Sequence, residues 1–377
     1  MTSPMALAGL RVLDIASLYA APLAATMLAD FGAEVVKVEP PAGDGFRGTK
    51  MWPIVARGKR SIVLDLRSTE GCSVFKKLVA TSDVVVENFP AKVLEARGIG
   101  WSELSTINPA LIMLSVSCFG RTGPYADRPG SGSIGEGFAG LTYVSGQADG
   151  PPTLPGVALG DAVGAMNAVI GVMTALYARD RNGGIGQQVD VSLYEPILQI
   201  MGQAMHRWSP GNSPTRNGSK MPGGGLRNVY ATRDGKYVVI SASTERHERE
   251  LIELTACDAA DSDPDAQVAA WISNRMLADV VDELVKRRLP VTPINDIDAQ
   301  LADPHIVARG SLVRETDSQL GDLVLAAPTP KLSATPGRIR SLGPELGMDT
   351  DAVLREWANI PAKKIPKGRG RRRVRLP

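Results

Sequence analysis

The sequence predicts an α/β fold with a large domain built on a Rossmann-like open parallel sheet, followed by a small α/β domain. The first observation is that short apolar runs alternate with helical stretches through the first 117 residues, which is typical of parallel βαβ units. The second is the length of 377 residues, which is too long for one simple core. The third is a hairpin pattern followed by helical patterns after residue 226.

The elements of the large domain follow in chain order. "LRVLDI" at Leu10–Ile15 is predicted to be a buried strand, and the next helix has Pro22 near its first turn and Gly32 just past its end. Helices are also predicted at residues 68–81 and between the fourth and fifth strands. The later strands are predicted at residues 33–40, Ser61–Leu66, Asp83–Asn88 and Leu111–Ser117, and in "GQQVDVS".

The loop directly after the first strand lacks the dinucleotide-binding glycine motif, and two other common motifs are absent from this sequence. No G-x-G-x-x-G follows the first strand, and neither a phosphate-binding P-loop nor a G-x-S-x-G elbow occurs. Residues 118–160 are rich in Gly and Pro and predict an irregular, functional stretch. The apolar run Ala162–Ala178 is nearly long enough to span a bilayer, but it contains Asn167 and many small residues, and we interpret it as a buried helix.

The second half of the chain predicts a smaller domain and a return to the first. A hairpin turns at Asp234-Gly235, helical patterns continue to about Arg288, and a strand "DLVLAAP" precedes a last helix near Thr350–Trp357. We expect a large domain at 1–225, a small one at 226–320, a return at 321–362 and a basic, disordered tail at 363–377. The tail has eight Lys or Arg residues and no acids, which permits weak contacts with nucleic acid or an acidic partner.

Composition restricts the classes of site that the chain can hold. Three cysteines without close spacing and only three histidines argue against a disulfide framework and a metal site. We therefore expect no metal cofactor, a reducing cytoplasmic location and no membrane segment. Without the tail the chain has 34 basic and 40 acidic residues, so nucleic-acid binding is not favoured apart from the tail.

Asp161 is the candidate catalytic residue. It follows Gly160 at the start of the apolar helix, where an aspartate is most often an ordinary N-cap. The same position favours an ionised carboxylate, which can act as a nucleophile. A carboxylate that attacks a thioester forms a mixed anhydride, so the acyl group stays activated and a second acid can take over the activation without ATP.

The chain resembles the class III CoA-transferase family, which includes formyl-CoA transferase and carnitine CoA-transferase, over residues 8 to about 355. The similar segments include "GLRVLDIA", "LADFGAEVVKVEPPAGD", "RGKRSIVLDL", "DVVVENF", "DGPPTLPGVALGDAVGA" and "GQQVDVSLYE". The resemblance implies that Asp161 is the acyl-accepting nucleophile, that CoA is bound as substrate and product, and that two chains form an interlocked homodimer.

CoA requires cations for its phosphates, and "RGKRS" supplies Arg57, Lys59 and Arg60, although a solvated turn is the simpler interpretation. The resemblance adds contacts from the loop after the first strand and from "ENF". Lys37 is also a candidate, with the alternative that it forms a structural pair with Glu39. The remaining candidates are Tyr19, Ala20, Asn88, Phe89, Arg97 and Arg128. Gly223, Gly224 and Gly225 resemble the family's mobile glycine loop at the active site, with an inter-domain linker as the alternative.

The chain departs from the family where the acyl pocket is expected. Ser131 and Gly132 replace an aromatic residue and an acid, Glu136 stands where a glutamine is common, and Ala96 replaces an arginine, with Arg97 one place later. An α-methylacyl-CoA racemase-like enzyme is the alternative activity, but it needs a histidine that residues 118–160 lack. A CoA-binding protein without turnover is the third possibility.

Overall fold

The computed structural model describes residues 5–221, 223–255 and 263–361. Contacts divide the chain into two compact units. The first contains the chain up to Ala139, Pro155–Gly202 and the chain from Gly310, and the second contains Gly140–Leu154 and Gln203–Arg309. The domain boundaries expected from the sequence remain predictions, because compactness does not establish which segments fold independently. The basic tail lies outside the described residues.

Eleven strands form three sheets in the described residues. They are β1 (Arg11–Asp14), β2 (Glu34–Glu39), β3 (Arg60–Val63), β4 (Val84–Glu87), β5 (Ile112–Ser117), β6 (Gln187–Ser192), β7 (Leu226–Ala231), β8 (Tyr237–Ala242), β9 (Val291–Pro293), β10 (Leu312–Asp317) and β11 (Gly321–Ala326).

The helices connect and cover these sheets. They are α1 (Ala20–Asp30), α2 (Trp52–Ala56), α3 (Thr69–Val79), α4 (Ala91–Ala96), α5 (Trp101–Ile107), α6 (Gly132–Phe138), α7 (Leu141–Val144), α8 (Leu159–Arg181), α9 (Glu195–Ile200), α10 (Gly202–His206), α11 (Glu245–Thr255), α12 (Pro264–Ser273), α13 (Leu277–Lys286), α14 (Ile297–Ala302), α15 (Pro304–Arg309) and α16 (Thr350–Ala358).

The first unit is built on a six-stranded parallel sheet with the order β3-β2-β1-β4-β5-β6. Its strands are runs of β-branched residues, as a sheet buried on both faces requires. Successive side chains alternate between two cores: Val84 and Val86 pack with α1 and α8, whereas Val85 packs with α3 and α16. The order reverses between β1 and β4, and such reversal points are where ligands bind in open α/β sheets.

The interpretation of Ala162–Ala178 as a buried helix holds for one face of the helix. α8 is a 23-residue helix whose small residues pack in the core, but only 39% of its most apolar window is buried. Its length and hydropathy would suffice to cross a membrane, which is weak evidence for a span because one face packs against α1 and α6. The other face exposes large apolar side chains.

The expected irregular stretch at residues 118–160 is wrong in part, since it contains α6 and α7. In the second unit, β7 and β8 form the predicted antiparallel hairpin, and Gly235 in its turn has φ of +71°. β9 pairs with β8, and α11, α12 and α13 cover this sheet around a separate core that includes Val238, Ile240 and Leu251. The strand β10 and the short helices α14 and α15 were not predicted.

Candidate active site

Asp161 lies in the first turn of α8 and is half-buried. It is not the N-cap, because the helix begins at Leu159 and the cap position is Ala158, whose side chain makes no capping bond. The simple capping interpretation of Asp161 is therefore wrong. An anionic side chain in the first turn is stabilised by the helix dipole and by N–H groups that have no partner within the helix.

The helix α6 packs closely against this first turn through two glycines. The Gly132 N–H donates to the Asp161 carboxylate, and a Cβ on Gly132 would lie 2.7 Å from the Asp161 backbone nitrogen and would overlap with its carboxylate. A Cβ on Gly160 would lie 2.6 Å from the Gly132 carbonyl oxygen. Glycine at position 132 therefore permits a close backbone contact with the candidate nucleophile.

Glu136 lies one helical turn after Gly132 and contacts the same end of α8. Its side chain is buried, with 1% exposed. Its Oε1 accepts a hydrogen bond of 2.7 Å from the Gly160 N–H, whereas its Oε2 is buried without a hydrogen-bond partner in the described part of the chain. The sequence marked Glu136 only as a departure, and its contact with Gly160 was not predicted.

The surroundings of Asp161 disfavour its ionised form. Burial raises the pKa of Asp161, the Gly132 N–H opposes this shift, and the nearby Glu136 carboxylate adds to it. The negative charge of Asp161 in turn contributes to the raised pKa of Tyr19 and of Cys118, for both of which burial is the main cause. Cys118 Sγ lies 3.6 Å from the Ser131 carbonyl oxygen, so the residue that follows β5 contacts the segment that packs against Asp161.

The carboxyl ends of β1 and β4 bring several predicted CoA contacts together. Tyr19 and Ala20 begin α1, while Asn88 and Phe89 follow β4 directly. The Asn88 side chain bridges the two loops, since its Oδ1 accepts from the Ser17 N–H at 3.0 Å and its Nδ2 donates to the Ser17 carbonyl at 2.7 Å. These four predicted residues lie at the reversal point of the sheet.

Lys59 is buried and is not positioned as a free cation. Its Nζ donates to Asp14 Oδ2 at 2.8 Å and to the carbonyls of Pro22 at 2.8 Å and Val55 at 2.6 Å. Burial lowers the pKa of Lys59 to about 8, against the opposing charge of Asp14. A structural function explains these contacts, and the predicted contact of Lys59 with CoA has no support from this placement.

Lys37 is fully buried on β2 and has a different partner from the one suggested. Its Nζ donates to the Ala16 carbonyl and lies 3.2 Å from Asp44 Oδ2. Glu39 instead receives Arg47, with 2.5 Å between Arg47 Nη2 and Glu39 Oε1. The Lys37–Glu39 pair considered above is therefore replaced by two separate ion pairs, both of which hold the loop after β2.

Arg57 and Arg60 also form ion pairs. Arg57 is 7% exposed and makes a two-pronged contact with Asp30, with 2.7 Å from Nη2 to Oδ2. Arg60 is more exposed and pairs with Glu356 at 2.7 Å and Asp349 at 3.7 Å, which attaches α16 to β3. The three cations of "RGKRS" are therefore paired with four acidic side chains of the fold. Their contact with phosphates stays a prediction.

A cavity of about 370 Å³ lies between α3 and the end of α4. It is lined by three cationic side chains, Arg67, Lys76 and Arg97, and by the hydroxyls of Ser68, Thr69 and Ser73. Arg97 was predicted, whereas Arg67 and Lys76 were missed. A basic residue just before a helix N-cap was the available signal, because helix N-termini bind anions.

Two predicted groups belong to neither of these clusters. Arg128 is exposed, and its guanidinium stacks 3.5 Å from the centre of the Tyr125 ring. Gly223, Gly224 and Gly225 precede β7 in the second unit, where Gly223 and Gly225 have φ of +74° and +75°. This backbone conformation explains why residues 223 and 225 are glycines, and the place of all three glycines at the active site stays a prediction.

Comparisons with known proteins identify the family of this chain. The model of CoA-transferase family III matches residues 7–350. Succinyl-CoA–D-citramalate CoA-transferase of Chloroflexus aurantiacus is 38% identical over 95% of each chain. The succinyl-CoA–L-malate CoA-transferase beta subunit of the same organism is 38% identical over 98% of each chain.

A solved structure gives the same result for the fold. The CaiB/BaiF family protein from Brucella suis has a TM-score of 0.82 and 30% identity, covering 94% of this chain and all of that one. The match of the family model extends over β1 to the start of α16, and it includes Asp161 and the cavity residues. The chain therefore belongs to CoA-transferase family III, and it is an enzyme that transfers CoA between an acyl-CoA and a carboxylic acid.

Proposed function

We propose that transfer proceeds through a mixed anhydride on Asp161 and then an Asp161–CoA thioester. The observation that carries this proposal is the placement of a half-buried carboxylate in the first turn of α8, in contact with the Gly132 N–H. This carboxylate lies beside the reversal point of the parallel sheet, where a ligand is expected.

In the first half of the reaction, an Asp161 carboxylate oxygen attacks the thioester carbonyl of the acyl-CoA. A C–O bond forms, the C–S bond breaks, and the electron pair leaves on the CoA thiolate. The thiolate then attacks the Asp161 carbonyl carbon of the anhydride. A thioester between Asp161 and CoA forms, and the donor acid leaves as its carboxylate.

The second half reverses these steps with the acceptor. The acceptor carboxylate attacks the Asp161–CoA thioester, which regenerates an anhydride and a CoA thiolate. The thiolate attacks the acceptor acyl carbon, and Asp161 is released as a carboxylate. Each attack on the Asp161 carbonyl places negative charge on its oxygen, and the Gly132 N–H is in position to donate to that oxygen.

We place CoA along the carboxyl edge of the sheet. The cavity with Arg67, Lys76 and Arg97 offers positive charge and hydroxyl donors for the phosphates. Asn88 and Tyr19 border the path toward Asp161. This arrangement assigns the phosphates to the cavity cations instead of the buried Lys37, Arg57 and Lys59.

Succinyl-CoA is the first donor to test, because both relatives described above are named for it. The acceptor is a carboxylic acid whose identity is best found with a panel that includes D-citramalate and L-malate. We expect new thioesters in the mass spectrum when succinyl-CoA and the correct acid are incubated with the enzyme.

The decisive experiment replaces the nucleophile. Asp161→Asn keeps the shape of the side chain but is a poor nucleophile, so we expect transfer to fall by more than about 10³-fold while CoA still binds. Asp180→Asn at the exposed end of the same helix is the control and should retain normal transfer. Near-normal turnover of Asp161→Asn, or an acyl-CoA-dependent label on another residue, would exclude the mechanism.

We further propose that the enzyme is an interlocked homodimer in the cytoplasm, with the glycine loop at residues 223–225 closing over the acyl group. The exposed apolar face of α8 supports association. Cys72 and Cys118 are buried and unpaired thiols, which suits a reducing compartment. Because one relative is named as a beta subunit, a partner chain of the same family is the alternative to a second copy.

A further inference from the structure

The carboxyl group of Glu136 has an unusual environment for a structural residue. Its Oε1 accepts from the Gly160 N–H at 2.7 Å, but its Oε2 is buried without a hydrogen-bond partner in the described residues. Leaving a buried carboxylate oxygen without a donor costs free energy, and a purely structural contact with one N–H would be met by a neutral side chain. A glutamine would supply the same acceptor to Gly160.

The backbone connects Glu136 to the candidate nucleophile. Gly160 immediately precedes Asp161, and Gly132, one turn before Glu136, donates its N–H to the Asp161 carboxylate. Gly132 and Glu136, one turn apart on α6, therefore contact Asp161 and Gly160 in the first turn of α8. Any movement of Glu136 is transmitted to the position of Asp161 through the Gly160 N–H.

The charge of Glu136 acts on Asp161 in a direction that favours catalysis. Two carboxylates that share a site disfavour each other's ionised form. Acylation converts Asp161 into a neutral anhydride or thioester, so the repulsion exists in the resting enzyme and disappears in both intermediates. A negative charge at Glu136 therefore destabilises the resting carboxylate relative to the acylated enzyme and makes Asp161 a stronger nucleophile.

We propose that Glu136 is a positioning residue for Asp161, which fixes the first turn of α8 through Gly160 and biases the enzyme toward its acylated intermediates through its charge. This inference rests on the proposed function of Asp161.

The other ionisable groups near α8 do not supply this effect. Tyr19 and Cys118 are neutral at pH 7, because the ordinary pKa values of both groups lie above 7 and burial raises them further. On β6 and after it, the carboxylates have other donors. These contacts join Asp190 Oδ2 to the Arg121 N–H at 2.8 Å and Glu195 Oε2 to the Ser192 hydroxyl at 2.7 Å. The raised pKa of Asp161 has burial as its first cause and Glu136 as a further one.

The test compares Glu136→Gln with Glu136→Asp and with Glu315→Gln, a matched loss of charge at an exposed site on β10. Transfer requires ionised Asp161, so activity falls as pH falls through its pKa. Removal of the Glu136 charge lets Asp161 ionise at lower pH, and we expect the acidic limb of kcat to move down by about one pH unit. The acidic limb of kcat in Glu136→Asp and in Glu315→Gln should stay near the pH of the wild-type limb.

A second readout measures the intermediate directly. Above the acidic limb, enzyme mixed with succinyl-CoA should hold a smaller ratio of Asp161–CoA thioester to free enzyme in Glu136→Gln, by up to about tenfold. Mass spectrometry of the intact protein gives this ratio, and thermal melting confirms that each variant is folded. Absence of the thioester in the wild type contradicts the proposed function itself. A thioester with the same pH limb and ratio in all variants overturns only the inference about Glu136, as does a Glu136→Asp limb that follows Glu136→Gln.

Discussion

Glycines in α6 and at the start of α8 determine how closely a backbone donor approaches Asp161. α6 contains Gly132, Gly135 and Gly137, a composition that predicts poor helicity. Packing requires glycine at position 132, since a Cβ there would overlap with Asp161, and it favours glycine at position 135, where a Cβ would lie 3.1 Å from the Leu193 carbonyl carbon. The cost in helix propensity is therefore offset by contact at the site.

This geometry makes Gly132→Ala a sharp test at the scale of one residue. The added methyl group overlaps with the Asp161 carboxylate, so Asp161 must move and lose the Gly132 N–H. We expect transfer to fall by about 10²-fold or more, as for a misplaced catalytic group, with little loss of CoA affinity. Steady-state kinetics and calorimetric titration with CoA check the two expectations.

Gly137→Ala is the matched control for that substitution. It adds the same methyl group to the same helix at a position with nothing within 4 Å, and alanine favours a helix more than glycine does. Activity should be retained and the melting temperature should be equal or higher. Equal loss of activity in both variants would show that α6 is sensitive to any substitution and that the Asp161 contact is not special.

The strands of the parallel sheet were the elements best predicted from the sequence. Runs such as "EVVKVE" and "IMLSVS" combine β-branched residues with little polarity, and β2 and β5 lie within the predicted segments. α6 was missed because its packing against distant Leu193 and Asp161 overrides a weak local preference. The short α2 and the hairpin strand β10 lack a clear period and were missed for that reason.

Asp161 and the loops after β1 and β4 were predicted from sequence motifs, and the chemistry of a carboxylate at a helix start gives a second reason for Asp161. The roles of the cationic side chains were harder to predict, because a sequence shows which residues are charged but not which residues they pair with. Lys37 and Lys59 both form ion pairs with Asp14, which is fully buried at the end of β1. The sequence signal for this structural ion cluster was an acidic residue at the end of a buried strand. One lysine on the second strand and one just before the third strand completed the signal.

The ion cluster at the ends of β1 and β2 leads to a prediction about stability. Lys59→Met leaves Asp14 buried without its 2.8 Å partner, and loss of one member of a buried pair costs about 3–5 kcal/mol of unfolding free energy. The neighbouring Arg60→Met breaks only partly exposed pairs with Glu356 and Asp349, which contribute about 0–1 kcal/mol. Thermal and urea unfolding should rank the two variants in this order, and a smaller effect at Lys59 would show that the cluster is not structural.

The cavity beside α3 leads to a separate prediction about CoA affinity. Arg97→Gln removes a cation that lines the cavity, and loss of one charge-assisted hydrogen bond should weaken CoA binding about tenfold at low salt. The effect should shrink at high salt because the phosphate charges are then screened. Lys77→Gln, on the exposed side of α3 and outside the cavity lining, is the control. If both variants bind CoA equally well at low salt, the phosphates bind elsewhere.

At the scale of the whole molecule, α8 has an apolar surface that would be in contact with water if the protein were a monomer. On α8, Met166, Ile170, Met173 and Tyr177 recur at helical spacing and are exposed at 55%, 63%, 38% and 66%. They occupy one face, opposite the small residues that pack in the core. A surface of this kind is typical of a contact between protein chains.

Charge on this face should disrupt the proposed assembly. Ile170→Glu combined with Tyr177→Glu places two carboxylates where a dimer would bury apolar side chains, so we expect monomers or insoluble protein in place of dimers. Thr106→Glu adds a carboxylate to an exposed position on α5 and should leave the assembly unchanged. Sedimentation velocity gives the molecular mass of each variant, and a soluble dimer of the double variant would place the interface elsewhere.

Interlocking makes a stronger prediction than dimer formation alone, because two threaded chains cannot separate without unfolding. Two pools of enzyme carrying different affinity tags should therefore form no mixed dimers after long incubation at a concentration that permits ordinary dimers to exchange. Co-expression of the two tagged chains should give mixed dimers at the statistical proportion, which is the positive control. After denaturation and refolding together, the separately purified pools should also mix. Exchange between native pools on the time scale of subunit dissociation would show that the chains associate only through surfaces such as the exposed face of α8, with no threading.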